Sequence, residues 1–470
     1  MTSEEIAFTE AVALGRMIAR RKISSLELTD LYLARLEKYG STYGAVVTIM
    51  HDRARREAKE ADTEVAAGRA RGPLHGVPYG VKDLLAAIGA PTTWGAAPYR
   101  DQVFDYDASV VKKLRAAGAV LLAKLAMVEL AGGFGYNDAD ASFTGPGRTP
   151  WNREFWSGGS SSGPATGVAA GLVGFAIGSE TNGSIMNPSG ACGVTGLRPT
   201  YGRVSRHGAM ALMWTSDKLG PICRSARDAE TVLSVIAGSD SNDATSVDAP
   251  FLTIRNRRPK IGVLRHGAIK SQPAVVKNFE ASLAVLGEYC DVVADVALPD
   301  GPYGDVFGAI FNGECAAAFR DLIESGRSRE LQSKDDRLGG YQVYGSLAVD
   351  YVDGMRQRAI LNQRVAHAFD PYDAIVYPNS STVAVPVGVP FDKAYPQYPG
   401  GPDMGSPGNL AGLPSVGVPN GFGNHHLPTG LAFMGRAWGE FQLTQIAKAY
   451  QSRTSFHTQH PTLIETGRGS

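Results

Sequence analysis

Short apolar runs closed off by glycine or by a helical stretch recur through this chain, and they constrain its fold more than any other feature. GVPYGVKDLL (76–85), AVLLAKLAM (119–127) and VGFAIGSE (173–180) have the length and bounding residues of strands buried on both faces of a sheet. PKIGVLRHG (259–267), DVVADVAL (291–298), YDAIVYPN (372–379), SVGVPNG (415–421) and PTGLAFMG (428–435) read as further strands. Helical patterns separate them. Ala11, Leu14, Met17 and Ile18 share one face, and Ser25 opens a second helix that ends at Gly40. HDRARREAKEADTEVAAG (51–68) reads as an exposed helix laced with ion pairs, helical patterns dominate 230–390, and GEFQLTQIAKAYQ (439–451) is a last helix. This interleaving predicts an α/β protein, a mixed β-sheet sandwiched between helices. Residues 1–65 are expected to form an N-terminal helical segment packed on a single domain over 66–470. The proline- and glycine-rich stretch 391–409 is expected to be a long loop that walls a pocket.

Composition removes several classes. Lysine plus arginine and aspartate plus glutamate both number 46, so nothing predicts a nucleic-acid track. Cys192, Cys223, Cys290 and Cys315 are scattered without CxxC or metal-ligand spacing, which favours buried thiols in a reducing, cytoplasmic setting. The stretch 1–22 lacks the apolar core of a signal peptide, and no run is long enough to span a bilayer. No metal cluster or dinucleotide fingerprint stands out, so neither metal nor cofactor is expected.

Two serine motifs and a lysine carry chemistry. Ser160 lies in GGSSSG (158–163), Ser184 in TNGSI (181–185), and Lys82 in LHGVPYGVKDLL (74–85). A serine hydroxyl is a weak nucleophile until a neighbouring base takes its proton, and a lysine can be that base once burial has made its charge costly. Taken alone, GGSSSG would be a flexible turn and Lys82 a surface residue paired with Asp83. The run, however, opens directly into PATGVAAGLVG (164–174), a small-residue helix with proline near its start, and Lys82 sits among Val81, Leu84 and Leu85. A phosphate-binding loop is ruled out because no Gly-Lys-Ser/Thr follows. The same run also satisfies G-x-S-x-G with Ser161 at its centre, the nucleophile elbow of an α/β-hydrolase esterase. That elbow needs an apolar strand before it, where TPWNREFWSGG (149–159) supplies a polar loop, and His367, His425 and His426 lack a recognisable setting. His75 and His207 are given no role.

Together these segments resemble the amidase signature family, whose Ser-Ser-Lys enzymes hydrolyse carbon–nitrogen bonds other than peptide bonds. ACGVTGLRPTYGRVSRHG (191–208), GPICRSARDAE (220–230) and NLAGLPSVGVPNG (409–421) extend the resemblance from about residue 10 to the last helix. The resemblance implies Ser184 as nucleophile, Ser160 as bridging serine and Lys82 as base. It further implies an oxyanion hole from the backbone N–H groups of Thr181, Asn182, Gly183 and Ser184. The family's SIRxPA is here Ser184-Ile185-Met186-Asn187-Pro188-Ser189, so Met186 replaces an arginine beside the nucleophile. Losing that cation favours an apolar acyl or aryl group, with Gly133, Phe134, Tyr136, Met186 and Trp214 as substrate-binding candidates. The expected substrate is a small apolar or aromatic amide, anilide or carbamate, cleaved by a cytoplasmic monomer or homodimer without nucleic-acid or membrane partners. The alternative is a glutamine-hydrolysing amidotransferase A-type subunit, which would need partner subunits.

Overall fold

The computed structural model describes residues 1–265, 267–401 and 404–464. Among the described residues eleven strands form one sheet: β1 Val46–Ile49, β2 Pro78–Lys82, β3 Val120–Leu125, β4 Phe175–Glu180, β5 Thr195–Arg198, β6 Lys218–Cys223, β7 Lys260–Leu264, β8 Asp291–Val296, β9 Ala374–Pro378, β10 Ser415–Phe422 and β11 Pro428–Met434. Their order is β1-β3-β2-β4-β6-β5-β10-β11-β9-β7-β8. β3, β2 and β4 run parallel, as do β9, β7 and β8, and the strands between them are antiparallel. Helices flank this mixed sheet. β2, β3, β4, β5 and β6 are buried along their whole length, and in β2, β3 and β4 this is why the sequence reads as an apolar run without alternation.

Every run read as a strand lies in one, although His266 of PKIGVLRHG falls outside the described residues. Three strands were not anticipated from the sequence. β1 is four residues long and, by pairing antiparallel with β3, ties the N-terminal stretch into the sheet, so residues 1–65 are not purely helical. β5 (TGLR) and β6 (KLGPIC) hold glycine, charged residues and a proline. Proline cannot donate to a ladder and usually marks an edge, yet Pro221 sits in an interior strand opposite Ile177.

The helix His51–Ala66 differs from its expected exposure. Arg53 and Glu57 are buried, and Arg53 donates to Glu57 at 2.8 Å and to Asp107 at 2.7 and 2.9 Å. Charge along a helix face looks solvated in sequence when its partner is distant in the chain. The stretch 391–409 contains two short helices, Phe391–Ala394 and Gly405–Leu410, while Pro402 and Asp403 lie outside the described residues. Among the described residues no helix is long and apolar enough to cross a membrane.

Candidate active site

The carboxyl ends of parallel neighbours β2 and β4 place the site, since Val81 pairs with Ile177 and beyond that pair lie Lys82 on β2 and Gly178, Ser179 and Glu180 on β4. Such strand ends are where α/β sheets commonly bind ligands. Lys82 is fully buried and its Nζ donates to Ser160 Oγ at 2.7 Å and to Ser179 Oγ at 2.9 Å. Burial pushes its ammonium down to about 7, opposed by the negative charges of Asp217 and Glu180. Asp83 does not pair with Lys82. It forms a buried ion pair with Lys124 at 2.8 Å on the adjacent strand, leaving Lys82 to the serines.

The run 158–163 leads into the helix Ser162–Ala169, with Ser160 and Ser161 both fully buried. Gly158 has φ +78°, and a Cβ there would come within 2.6 Å of Asn187 Oδ1 and Pro188 Cα, so this turn requires glycine. Ser161 Oγ donates to the Ser179 carbonyl at 3.1 Å and accepts from the Ser179 N–H at 3.2 Å. β2 pairs with β4 only as far as Ile177, so this hydroxyl continues the ladder where the strand has ended. A hydroxyl saturated in this way is structural, which leaves no free nucleophile at Ser161. Ser161→Ala is expected to strand two buried backbone groups and cost about 1–3 kcal/mol of stability, read as a lower urea midpoint at unchanged slope.

The Ser161 N–H also donates to the Ser184 carbonyl at 3.3 Å, which brings the two serine motifs together. Ser184 is 8 % exposed, in the turn between β4 and the helix Met186–Cys192. Gly183 has φ +90° with open space around its Cβ position, so the backbone conformation alone asks for glycine. The N–H groups of Asn182, Gly183 and Ser184 donate to no backbone carbonyl among the described residues. Glu180 secures the turn from below, accepting from the Ile185 and Met186 N–H groups at 2.8 and 3.0 Å and from Arg198 at 2.7 Å. Burial works to raise this carboxyl, but the Arg198 charge and hydrogen bond, Lys218 and the Ile185 amide outweigh it and hold it at about 2.

Two cavities flank the motifs. One, lined by Ser179, Thr181, Arg206, Leu212, Trp214 and Asp217 among others, has an apolar wall from Leu84, Met210 and Leu219. The other is bounded by Trp156, Gly158, Asn187, Asn379 and Val383. Of the residues expected to touch substrate, Trp214 lines the first cavity, is 53 % exposed, and stacks on the Arg206 guanidinium at 4.5 Å. Tyr136 packs edge-on against Trp156 and Phe391, behind the second cavity. Phe134 packs edge-on against Phe319 in the core, and the Gly133 carbonyl accepts from Cys315 Sγ at 2.8 Å. Met186 lies against Gly417 of β10 rather than among the residues lining either cavity. Sequence reading missed Ser179, Glu180, Arg206 and Asp217. Arg206 had a signal, its place in the segment 191–208 that carries the resemblance. Among the described residues no cluster of three or more His, Cys, Asp or Glu side chains is placed to hold a metal ion.

The amidase family model matches residues 27–444. The chain belongs to the amidase family. Among curated relatives, the A-type subunit of the glutamyl-tRNA(Gln) amidotransferase from Roseiflexus castenholzii is 37% identical, over 96% of this chain and 97% of that protein. Among solved structures, the peptide amidase of Stenotrophomonas maltophilia superposes with a TM-score of 0.84 at 30% identity, over 95% of this chain and 97% of that one. A protein from a vestigial complex that reveals the origins of an s-triazine catabolic enzyme superposes with a TM-score of 0.86 at 27% identity, over 95% of this chain and 98% of that one. The amidase fold thus spans essentially the whole chain.

Proposed function

We propose that this amidase cleaves the C–N bond of a carboxamide through an acyl-enzyme on Ser184. The observation that carries the reading is the buried Lys82 amine, 2.7 Å from Ser160 Oγ, with its charge disfavoured by burial. Ser184 Oγ attacks the carbonyl carbon while its proton passes to Ser160 and the Ser160 proton to Lys82. The oxyanion is held by N–H groups of the 181–184 turn. Lys82 returns a proton through Ser160 to the leaving nitrogen as the C–N bond breaks, and water then releases the acid by the reverse path. We take 66–470 as the catalytic domain, with 1–65 packed on it and lending β1 to its sheet, in a cytoplasmic setting.

For the substrate, we favour a small apolar or aromatic amide, anilide or carbamate, handled by a self-sufficient monomer or homodimer. The apolar wall of the Trp214 cavity supports this choice. The names of the curated relatives support a second reading, a glutamine-hydrolysing subunit that works with partner subunits. Steady-state rates on anilides, aryl carbamates and free glutamine separate the two. An apolar pocket is expected to favour the first two by about 10³-fold in kcat/KM, because a carboxylate buried without a partner is costly. Glutamine cleavage equal to anilide cleavage would overturn the apolar reading in favour of the second.

A further inference from the structure

Asp217 sits outside every motif that carries the family resemblance, yet its carboxylate is saturated by groups from both sides of the Trp214 cavity. Oδ1 accepts from the Thr181 hydroxyl at 2.7 Å, and Oδ2 accepts from the Leu212 and Met213 N–H groups at 2.8 and 3.1 Å. The residue before it acts on the same target, since Ser216 Oγ donates to the Thr181 carbonyl at 3.2 Å and to the Asn409 carbonyl at 3.4 Å. Lys218 in turn donates from Nζ to the Ser216 carbonyl and, at 3.3 Å, to Ser216 Oγ. Thr181, where β4 gives way to the nucleophile turn, is therefore held at both its hydroxyl and its carbonyl. Thr181, Leu212, Trp214 and Asp217 all line one cavity, so the groups tied together face the same space.

We propose that Asp217 is a positioning residue that clamps Thr181, and with it the N–H groups of the 181–184 turn, to the Leu212–Trp214 wall of the acyl pocket. This deepens the proposed reaction and rests on Ser184 as its nucleophile. Oxyanion donors act through prior alignment, and a displacement of about 1 Å at such a turn costs about 10²-fold in rate. Three donors converge on Asp217, which suits an ionised carboxylate and no other side chain of that size. Burial raises its carboxyl against these hydrogen bonds and the Arg206 charge, and the other titratable groups that feel it are Lys82 on β2, Lys218 on β6 and the Cys315 thiol. Its negative charge favours the protonated form of Lys82.

Asp217→Asn tests the clamp because an amide offers one acceptor where three donors meet. Thr181→Val tests it from the other side by removing only the hydroxyl. Each is expected to lower kcat about 10²-fold while KM changes less than about threefold. The double variant is expected to lose no more than the worse single one, since both break one link. Asp217→Asn should also move the acid limb of the pH profile to lower pH, which a merely structural loss would not do. Near wild-type kcat in both variants, or losses that multiply in the double variant, would overturn the clamp. Labelling with a fluorophosphonate probe separates this from the underlying reading. Label at Ser184, with equal rates in wild type and Asp217→Asn, sinks the clamp alone. Label at another residue sinks the nucleophile assignment and the clamp with it.

Discussion

Ser184→Ala is expected to lower kcat on any amide substrate by about 10⁶-fold, the scale on which removal of a serine nucleophile acts in other serine hydrolases. The other motif serines cannot stand in. Ser160 is occupied by the Lys82 amine at 2.7 Å, and the Ser161 hydroxyl is bonded to both backbone groups of Ser179. Ser184 itself keeps 8 % of its surface exposed, whereas Ser160 and Ser161 keep none. Intact-mass spectrometry is expected to show one adduct on the wild type, mapping to Ser184, and none on Ser184→Ala. Thermal unfolding should be near wild type, because one small hydroxyl in a turn is lost. An adduct at Ser161 would instead support the α/β-hydrolase alternative.

Lys82 carries the second large effect. Lys82→Ala is expected to reduce kcat by about 10²–10⁴-fold, the range for a lost general base. Lys82→Arg should not restore it, because a guanidinium cannot give up its proton at usable pH. With the folded-state value near 7, wild-type activity should rise with pH through about 7 and then level off as the neutral amine becomes the dominant form. Stability carries the same signature. The unfolded lysine titrates near its ordinary value of about 10.4, so between there and about 7 the unfolded chain binds a proton that the folded chain does not. The Lys82 contribution to folding is thus most unfavourable below about 7 and vanishes above the unfolded value, so stability should climb with pH across that window. Lys82→Met is expected to flatten the climb in denaturant titrations at several pH values. An active Lys82→Arg enzyme, or an activity profile flat from pH 6 to 9, would refute the base assignment.

Sequence reading found strands by their apolar runs and not by burial as such, since the fully buried β5 and β6 escaped while the largely exposed β8 did not. β2, β3 and β4 are covered on both faces and read as plain apolar runs bounded by glycine or helix. β5 and β6 escaped because their glycine, lysine, arginine and Pro221 are tolerated only where neighbours complete the ladder or pair the charge. Arg198 on β5, for example, is buried against Glu180 at 2.7 Å. For the same reason the Arg53 face of the helix His51–Ala66 looked solvated, since its partner Asp107 is remote in sequence.

By itself, the sequence determined the α/β class, the membership that the motifs imply, and the three residues Lys82, Ser160 and Ser184, because glycine-rich turns and a lysine inside an apolar run are local signals. Only the tertiary structure decided how those residues stand. It put Ser179 and Ser160 on the Lys82 amine, spent Ser161 on the sheet, and paired Asp83 with Lys124. It placed Trp214 at a cavity while drawing Phe134 into the core, and it brought Asp217 onto Thr181. The division follows from range. Backbone conformation and burial tendency are written within a few residues, whereas the partner of a buried polar group is chosen by strands and loops that meet only once the sheet has closed.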